Sequence, residues 1–395
     1  MKNIDDFNFR NRKALLRVDF NVPLNNELIV TDETRIIATI PTIKKIINEG
    51  GSVILMSHLG RPKKGPEDQY SLKHIIPNLQ EKLGTEVKFA SDCIGVSALE
   101  LSQTLGTREV MLLENVRFYP EETKGDEDFA SKLAKLGDIY VNDAFGTAHR
   151  AHASTTIVAQ FFEDKCAGYI MGNELANAKK VLEDPHRPFT AIMGGAKISD
   201  KIMIIEKLLD KVDHLIIGGG MSYTFTKAQG GAIGKSLCEN NRMALTLELI
   251  EKAKAKGVKI YLPLDNVIAD DFSNDANRQI VNSGEIPDDW EGLDIGPQSI
   301  NAFENVIKNS KTILWNGPMG VFEFQNFAVG TEAIAEAVVT ATQNGGFSLI
   351  GGGDSAAAIN NLGYGDKVSY VSTGGGALLE YMEGKTLPGV AILED

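Results

Sequence analysis

The sequence contains few cysteines, no excess of basic residues and no long apolar segment. Its three cysteines, Cys93, Cys166 and Cys238, are far apart and form no Cys-x-x-Cys pair, which argues against a disulfide framework and a structural zinc site. The formal net charge of −13 disfavours nucleic acid and anionic membranes as partners. No run reaches the roughly 18–20 apolar residues of a membrane span, and the N-terminus lacks a signal-like apolar region. We therefore expect a cytoplasmic protein.

Two nucleotide-binding fingerprints are also absent. The run Gly234–Ser236 resembles the end of a P-loop, but Gln229 stands where that motif has glycine. The G-x-G-x-x-G pattern is interrupted after both candidate glycine pairs, by Tyr223 and by Ala356. A P-loop is therefore unsupported, and a nicotinamide-dependent dehydrogenase is disfavoured.

The remaining pattern alternates short apolar runs with helical segments. A chain of 395 residues, at roughly 150 per domain, suggests two or three domains. Continuous apolar runs between helices predict α/β architecture with buried parallel strands. Helices are expected at 199–212, with Ser199 as N-cap, and at 242–256 and 327–343. The strand candidates are 13–19, 52–57, 109–115, 138–143, 189–194, 213–218, 259–264, 312–316, 346–350 and 368–372. A domain boundary is expected within 168–188, where a helix ends near Glu183 before two prolines.

Arginine and glycine are distributed unequally along the chain. Eight of the 11 arginines lie in residues 1–150, and 29 of the 39 glycines lie from Gly168 onward. Arginine recognises anions through its planar fork, whereas glycine lets the main chain approach a ligand closely. The first half is thus a candidate for anion binding by side chains, and the second for phosphate binding by main-chain N–H groups. Glycine-rich turns without a ligand remain the alternative.

Polar clusters follow four predicted strands of the first half. Because ligands bind beyond the carboxyl ends of parallel strands, these clusters predict one shared site. Arginines near them would repel one another unless an anion lay between them. The histidines beside Arg150 are candidates for anion contacts, for structural roles or, less plausibly, for zinc. The clusters are 17–21, 57–62, 114–117 and 142–145, the arginines are Arg35, Arg61, Arg117 and Arg150, and the histidines are His149 and His152.

Glycine runs follow four predicted strands of the second half, at 194–195, 218–220, 351–353 and 374–376. A glycine turn that opens a helix presents free N–H groups to phosphate. Lys197 and Lys201 are spaced to share one helix face. Asp354 is placed to meet Mg²⁺, with an N-cap as the simpler alternative.

Seven motifs, spread over the whole chain, resemble those of the phosphoglycerate kinase family and occur in the same order. They are RVDFNVP (17–23), SHLGRP (57–62), NDAFGTAHRAH (142–152), GGAKISDK (194–201), WNGPMGVFE (315–323), GGGDS (351–355) and STGGGA (372–377). Ser355 stands where many members have threonine, and GNEL (172–175) is a loose version of the family's linker sequence.

The resemblance implies reversible phosphoryl transfer between 1,3-bisphosphoglycerate and ADP, giving 3-phosphoglycerate and ATP, with Mg²⁺ accompanying the nucleotide. It implies two Rossmann-like three-layer (αβα) domains with parallel sheets facing across a cleft, in a monomer. Residues 1–170 with the tail 386–395 would bind 3-phosphoglycerate, 171–188 would form a hinge, and 189–385 would bind Mg-nucleotide.

The resemblance also assigns residues. Those contacting 3-phosphoglycerate would be Asp19, Asn21, Arg35, His58, Arg61, Arg117 and Arg150, supported by His149 and His152. Those binding nucleotide would be Lys197, Lys201, Gly219, Gly220, Gly292, Asn316, Pro318, Gly320, Val321, Glu323, Gly352, Gly353, Asp354 and Ser355, with Asp354 on the metal and Glu323 on the ribose. Those surrounding the transferred phosphoryl group would be Arg35, Lys197, Gly374, Gly375 and Gly376.

The reaction class explains why no general base is evident in the sequence. A carboxylic acid of pKa about 3–4 is ionised at neutral pH, so the acceptor needs no deprotonation. Alignment and charge neutralisation remain as the protein's tasks, together with closure that excludes water. The rival from another class is a two-domain protein that closes on an anion without chemistry, but it has no need for Asp354 or Lys197.

Overall fold

The computed structural model describes residues 1–394 and divides into two units. The first comprises Met1–Leu175 and the chain from Lys385 onward, and the second comprises Ala176–Gly384. Asp395, the last residue of the predicted tail 386–395, lies outside the described residues. The boundary between the units falls inside the helix Tyr169–Leu182, which begins earlier than the linker sequence suggested.

The first unit is built on a six-stranded parallel sheet. Its strands are β1 (Lys13–Arg17), β2 (Ser52–Met56), β3 (Val87–Phe89), β4 (Val110–Leu112), β5 (Ile139–Asn142) and β6 (Lys165–Ala167), in the spatial order β3-β4-β2-β1-β5-β6. The central strand β1 aligns Arg17 with Met56 of β2 and with Asn142 of β5. Every residue of β2 is buried, as expected for a strand covered on both faces.

Within residues 1–182, six helices belong wholly or partly to this unit: α1 (Thr34–Asn48), α2 (Ile76–Leu83), α3 (Val96–Thr104), α4 (Pro120–Lys124), α5 (Glu127–Ala134) and α6 (Tyr169–Leu182). α1 turns Ile36, Ile40 and Ile43 inward, and these join the core that β1 and β2 form. This leaves Arg35, at the start of α1, beside the carboxyl end of β1.

The second unit repeats this plan with another six-stranded parallel sheet. Its spatial order is β10-β8-β7-β15-β16-β17. The strands of the unit are β7 (Phe189–Met193), β8 (His214–Ile217), β9 (Ala232–Ile233), β10 (Lys259–Tyr261), β11 (Asp265–Ala269), β12 (Arg278–Asn282), β13 (Glu285–Ile286), β14 (Glu291–Ile295), β15 (Thr312–Asn316), β16 (Phe347–Gly351) and β17 (Tyr370–Val371). Its helices are α7 (Ile202–Leu208), α8 (Met221–Ala228), α9 (Met243–Ala255), α10 (Pro297–Lys308), α11 (Val329–Gln343), α12 (Gly353–Asn361) and α13 (Gly376–Met382). The final helix, α14 (Pro388–Ala391), returns to the first unit.

The predicted α/β class with parallel sheets is confirmed, but several elements were missed. β3 and β6 are three-residue strands at the two edges of the first sheet. The second unit also carries a small antiparallel sheet, β12-β11-β14, and a two-stranded pair, β13-β9. β12 is mostly exposed and mixes polar with apolar residues, so it lacks the apolar run that identified the central strands.

The prediction that Ser199 caps a helix over 199–212 is wrong. Residues Ile198–Asp200 form a single 3-10 turn, and α7 begins at Ile202 without a side-chain cap. Ser199 donates its backbone N–H to Glu239 instead. Within residues 1–394, no helix has the length and apolar character needed to cross a membrane.

Candidate active site

In the first unit, the predicted polar clusters lie at the carboxyl ends of four neighbouring strands, β4, β2, β1 and β5. Hydrogen bonds fix their loops to one another. The Gly60 N–H donates to Asn21 Oδ1 at 2.8 Å, and Arg117 donates to the Gly60 carbonyl at 2.9 Å. The loops after β1, β2 and β4 therefore form one surface.

Arg35 reaches this surface from α1. Its guanidinium donates to Asp19 Oδ2 at 2.8 Å and to the Asn21 carbonyl at 3.2 Å. Asp19 also accepts the Asn21 N–H, and its Oδ1 lies 3.9 Å from Nδ1 of the buried His58. One carboxylate thus accepts hydrogen bonds from the Arg35 side chain and the Asn21 main chain, with His58 beside it.

Three of the predicted arginines line a single cavity of about 460 Å³. They are Arg61, Arg117 and Arg150, and His152 and Lys63 line the same cavity. Arg117 and Arg150 are half-buried, and Arg61 is exposed at the rim. No aspartate or glutamate lines this cavity, so its walls are cationic.

The charges are close enough to shift one another's protonation. Burial, together with Arg17 and Arg150, lowers the pKa of Arg117 to about 10. Burial and the Arg117 and Arg150 charges lower the pKa of His152 to about 4. Burial and the neighbouring arginines hold the pKa of His58 well below its usual range. Both histidines are therefore neutral at physiological pH and add no cationic charge.

A buried chain of hydrogen bonds lies beneath this surface and was not predicted. Arg17, only 1% exposed, donates from Nε to Ser154 Oγ at 2.9 Å, and Ser154 donates to Glu122 at 2.7 Å. Arg17 also lies 3.3 Å from His58 Nδ1. Because arginine only donates, Nδ1 of His58 must accept, which leaves the ring proton on Nε2. The chain thus fixes the tautomer of His58.

Two members of the fourth predicted cluster are structural. Asn142 is fully buried and donates to the Thr155 carbonyl, and Asp143 is 1% exposed. Asp143 accepts the Thr42 hydroxyl and the Ile170 and Met171 N–H groups at the start of α6. Burial raises the pKa of this carboxyl to about 6. Asn142 and Asp143 are therefore buried groups whose hydrogen bonds join β5 to the Thr155 carbonyl, to α1 and to the start of α6.

The loop after β5 is held from two sides. Arg150 donates from Nε to His149 Nε2 at 3.1 Å, so His149 orients the arginine as a neutral acceptor. The C-terminal segment packs on the same loop, where the Gly389 N–H donates to the Ala148 carbonyl at 2.9 Å. Both contacts place Arg150 at the cavity.

In the second unit, several glycines serve close packing between loops. A Cβ at Gly194 would lie 2.1 Å from the Pro318 carbonyl oxygen, and one at Gly219 would lie 2.6 Å from Gly195 N. The N–H groups of Gly194, Gly195 and Gly219 donate to main-chain carbonyls. The expectation that these glycines offer N–H groups to phosphate is therefore wrong for these three.

The start of α12 does offer such groups. The N–H groups of Gly353 and Asp354 make no hydrogen bond to the described residues, and both residues are exposed. Gly352 adopts φ +91°, and a Cβ there would lie 2.7 Å from Asn316 Nδ2. The helix therefore presents its positive end and the Asp354 carboxylate at the carboxyl end of β16.

The two predicted lysines do not share a helix face. Lys197 is exposed and has extended backbone before the 3-10 turn, whereas Lys201 directly precedes α7. Burial lowers the pKa of Lys201, although the carboxylates of Asp200 and Asp354 oppose this effect. The structure thus brings Lys201 within electrostatic range of Asp354.

The other predicted nucleotide residues divide by exposure. Gly220, Gly292, Gly320, Val321, Gly375 and Gly376 are partly or fully exposed, as is Glu323. Five others are buried: Gly219, Asn316, Pro318, Ser355 and Gly374. Ser355 Oγ accepts the Gly317 N–H at 2.6 Å, and the Gly374 N–H donates to Ser372. The expectation that the Gly374 N–H faces the phosphoryl group is therefore wrong in this structure.

The described residues contain no cluster of three or more His, Cys, Asp or Glu side chains able to hold a metal alone. Magnesium is usually bound by one or two carboxylates together with substrate phosphates and water. Asp354, exposed beside a helix start that favours phosphate, fits that mode. The donor set fits Mg²⁺ brought by a nucleotide rather than a permanent protein site.

Comparisons with known proteins agree over the whole chain. The family model described as phosphoglycerate kinase matches residues 4–385. The chain is 53% identical to the phosphoglycerate kinase of Porphyromonas gingivalis, covering 99% of each chain. It is also 53% identical to the cytosolic phosphoglycerate kinase of Nicotiana tabacum, covering 99% of this chain and 98% of that one.

Comparison of the fold with solved structures also points to the phosphoglycerate kinase family. The phosphoglycerate kinase structure from Coxiella burnetii superposes with a TM-score of 0.90 at 41% identity, covering 99% of this chain and 98% of that one. The chain belongs to the phosphoglycerate kinase family, whose members are glycolytic phosphotransferases with a carboxyl group as acceptor.

Proposed function

We propose that the first unit binds 3-phosphoglycerate on its arginine surface, and that the second unit binds Mg-ATP or Mg-ADP beside α12. The observation that carries the proposal is the cationic cavity lined by Arg61, Arg117 and Arg150 without a carboxylate. A surface that depresses the pKa of its own Arg117 is stabilised when an anion enters it. The phosphate and carboxylate of 3-phosphoglycerate are such anions.

The neutral state of His58 allows it to donate one hydrogen bond to the substrate. With its proton on Nε2, His58 donates to an anion, and its Nδ1 is held by Arg17. The acceptor carboxylate is ionised at neutral pH, so no side chain has to remove a proton from it. The protein's contribution is then alignment and charge compensation, in which Arg35 has the central role. Arg35 donates to Asp19 in this structure, so substrate would compete with Asp19 for the guanidinium.

The second unit would hold the nucleotide phosphates at the free N–H groups of Gly353 and Asp354, with Lys197 and Lys201 nearby. Asp354 would hold Mg²⁺, which supplies positive charge to the phosphates. The exposed residues Gly292, Val321 and Glu323 would line the nucleoside. The contacts of the buried Asn316, Pro318, Gly219 and Ser355 with ligand stay predictions. Gly375 and Gly376 would face the phosphoryl group.

Transfer then requires the two units to bring their ligands together and exclude water. The chain segment 171–188, which contains the unit boundary, is the proposed hinge. Small-angle scattering of the four ligation states tests this idea. The curve with both ligands should differ from the other three, and four identical curves would contradict it.

We further propose that the protein acts as a cytoplasmic monomer without nucleic-acid or membrane partners. The net charge of −13 supports the absence of a polyanionic partner. Cys93, Cys166 and Cys238 are free thiols, as a reducing compartment favours. Size-exclusion chromatography with light scattering would detect any oligomer.

The decisive experiment is a coupled assay with ATP, Mg²⁺ and 3-phosphoglycerate, in which glyceraldehyde-3-phosphate dehydrogenase reports the product through NADH consumption. Arg35→Ala should lower kcat by about a hundredfold or more, because the loss of one preorganised hydrogen-bond donor to the transition state has an effect of that size. The KM for nucleotide should change little. Arg10→Ala is the matched control, because Arg10 is exposed and precedes the amino end of β1. Unchanged turnover in Arg35→Ala would refute its assignment, and parent protein that binds both ligands without turnover would favour the binding-protein alternative.

A further inference from the structure

Asp294 is a buried carboxylate in the second unit, and it forms no ion pair with any cation among residues 1–394. It lies on β14 and is 1% exposed. Its Oδ1 accepts the Ile295 N–H at 2.9 Å, and its Oδ2 accepts the Gly330 N–H at 2.7 Å. Gly330 is the second residue of α11, so the positive end of that helix compensates the negative charge. A buried charge held only by two N–H groups depends closely on their positions.

A bulge in β14 brings this carboxylate to the turn after β15. Val267 of β11 pairs with Asp294 and Ile268 pairs with Gly292, which leaves Leu293 as an extra residue. The Leu293 carbonyl is thereby free to accept the Val321 N–H at 2.8 Å. Bulges of this kind redirect side chains and carbonyls next to functional sites.

The turn rests directly on the carboxylate. A Cβ at Gly320 would lie 2.4 Å from Asp294 Oδ1, and a Cβ at Gly330 would lie 2.2 Å from the same atom. Glycine is required at both positions because the carboxylate fills the space. Gly320 packs against the Asp294 carboxylate, Val321 is bonded to Leu293 next to it, and Gly292 lies two residues before it. Gly292, Gly320 and Val321 are all among the residues assigned to nucleotide binding.

We propose that Asp294 is a positioning residue for the nucleotide site, whose ionised carboxylate ties β14 to the start of α11 and sets the position of the Gly320–Val321 turn. This rests on the proposed assignment of nucleotide to the second unit. Loss of the charge should weaken nucleotide binding and leave the arginine surface of the first unit unaffected.

The surroundings of Asp294 make its charge sensitive to pH. Burial and the neighbouring Glu332 of α11 raise the pKa of Asp294 to about 7. Tyr223 of α8 also lies within electrostatic range of Asp294 and of Glu291 on β14, and none of these groups is a cation. A protonated carboxyl has fewer acceptor sites for the Ile295 and Gly330 N–H groups. Nucleotide affinity should therefore fall as pH is lowered from 8 to 6.

Calorimetry of ADP binding tests the proposal without requiring turnover. Asp294→Asn should weaken ADP binding at pH 8 by about tenfold, the size expected for one lost charge-assisted hydrogen bond. Its affinity should change less between pH 8 and pH 6 than that of the parent. Glu332→Gln is a second test, because it removes an exposed charge that helps to raise the pKa of Asp294. Its ADP affinity should match that of the parent at pH 8 and fall less than that of the parent between pH 8 and pH 6. Protonation of ADP itself is common to all three proteins.

The KM values for the two substrates distinguish a local effect on the nucleotide site from a general loss of structure, which would raise both. Asp294→Asn should raise the KM for nucleotide and leave the KM for 3-phosphoglycerate within about twofold. Equal rises in both values, or ADP affinity within about twofold of the parent at pH 8, would overturn the proposal. If Asp294→Asn does not fold, NMR of the parent replaces it as the test. The Gly330 amide resonance should then shift with a midpoint near pH 7, in step with ADP affinity. A resonance that stays constant from pH 6 to pH 8 would overturn the proposal. A parent that binds ADP with the expected pH dependence but shows no turnover would refute the proposed function alone.

Discussion

Replacing Ser154 with alanine should break the buried chain that joins Arg17 to Glu122. The Ser154 hydroxyl accepts from Arg17 at 2.9 Å and donates to Glu122 at 2.7 Å. All three side chains are at most 1% exposed, so water cannot replace the lost oxygen without entering the core. The substitution removes almost no volume, and its effect therefore reports the hydrogen bonds rather than packing.

The magnitude follows from the two bonds that are lost. Each joins the hydroxyl to a charged group, and such bonds contribute about 1.5–3 kcal/mol. The Ser154 N–H still donates to Glu122 at 2.9 Å, so the carboxylate keeps one partner. We therefore take the lower end of that range for each of the two lost hydrogen bonds, which predicts that the first unit is destabilised by about 3 kcal/mol. The first unit loses stability because the buried Arg17 side chain keeps its charge but is no longer joined to Glu122 through the Ser154 hydroxyl.

Amide hydrogen exchange followed by mass spectrometry measures this loss within the first unit. Tryptophan fluorescence would not, because Trp290 and Trp315 both lie in the second unit. Peptides covering β1 and β5 should exchange about a hundredfold faster, the equivalent of roughly 3 kcal/mol.

Ser102→Ala is the control for the same substitution at a buried site of the same unit. Its hydroxyl is bonded only to the Leu99 carbonyl within α3, and alanine favours the helix, so the net change should be below about 1 kcal/mol. Exchange rates in Ser154→Ala that match those in Ser102→Ala would refute the view that the chain supports the arginine surface.

Two further results are expected. Gly194→Ala should destabilise the second unit by about 1–3 kcal/mol or more, because the new Cβ would lie 2.1 Å from a main-chain oxygen. Denaturant unfolding followed by tryptophan fluorescence measures this loss, and Gly376→Ala in the same unit, where an added Cβ would meet no atom within 4 Å, should not lower stability. His152 should titrate near pH 4 in NMR spectra, because burial and two arginines disfavour its protonation. Since the unfolded chain takes up that proton nearer pH 6.5, this histidine destabilises the fold as pH falls between the two values, and a midpoint near 6.5 in the folded protein would contradict the geometry.

The sequence predicted the central strands and the arginines because both depend on local order. A continuous apolar run such as β2 marks a strand covered on both faces, and the polar residues after it must lie at the sheet edge. Arg35 and Arg117 were found in this way. Neither inference needs to know which distant segment packs where.

The buried chain was not predictable because its members are brought together only by the fold. Arg17 and Ser154 are 137 residues apart, and Ser154 and Glu122 are 32 apart. The sequence places Arg17 in the polar cluster 17–21 of the predicted shared site but does not indicate its burial or its partners, and Glu122 lies in an ordinary acidic helix start. Asp294 shows the same limit, because a single aspartate in an apolar strand carries no signal of what surrounds it.

Glycine was the least specific signal, because one residue type meets two different needs. Gly194 and Gly219 let main-chain segments pack within contact distance, and their N–H groups are already bonded. Gly353 leaves an exposed N–H at the start of α12. Both kinds follow parallel strands, so counting glycines at strand ends overestimates the number of phosphate contacts. Only the hydrogen-bond partner of each N–H separates packing from binding.

The two proposed sites meet the same electrostatic problem in different ways. In the first unit, burial together with repulsion from the guanidinium charges of Arg17 and Arg150 lowers the pKa of Arg117 to about 10. An anion bound between these charges would relieve that repulsion, which would add to the affinity for an anionic substrate. In the second unit, Asp354 lies beside the helix start, so a nucleotide without a metal ion would meet a carboxylate. We therefore expect the first proposed site to select the charge of its ligand directly, and the second to select a nucleotide whose charge is partly offset by Mg²⁺.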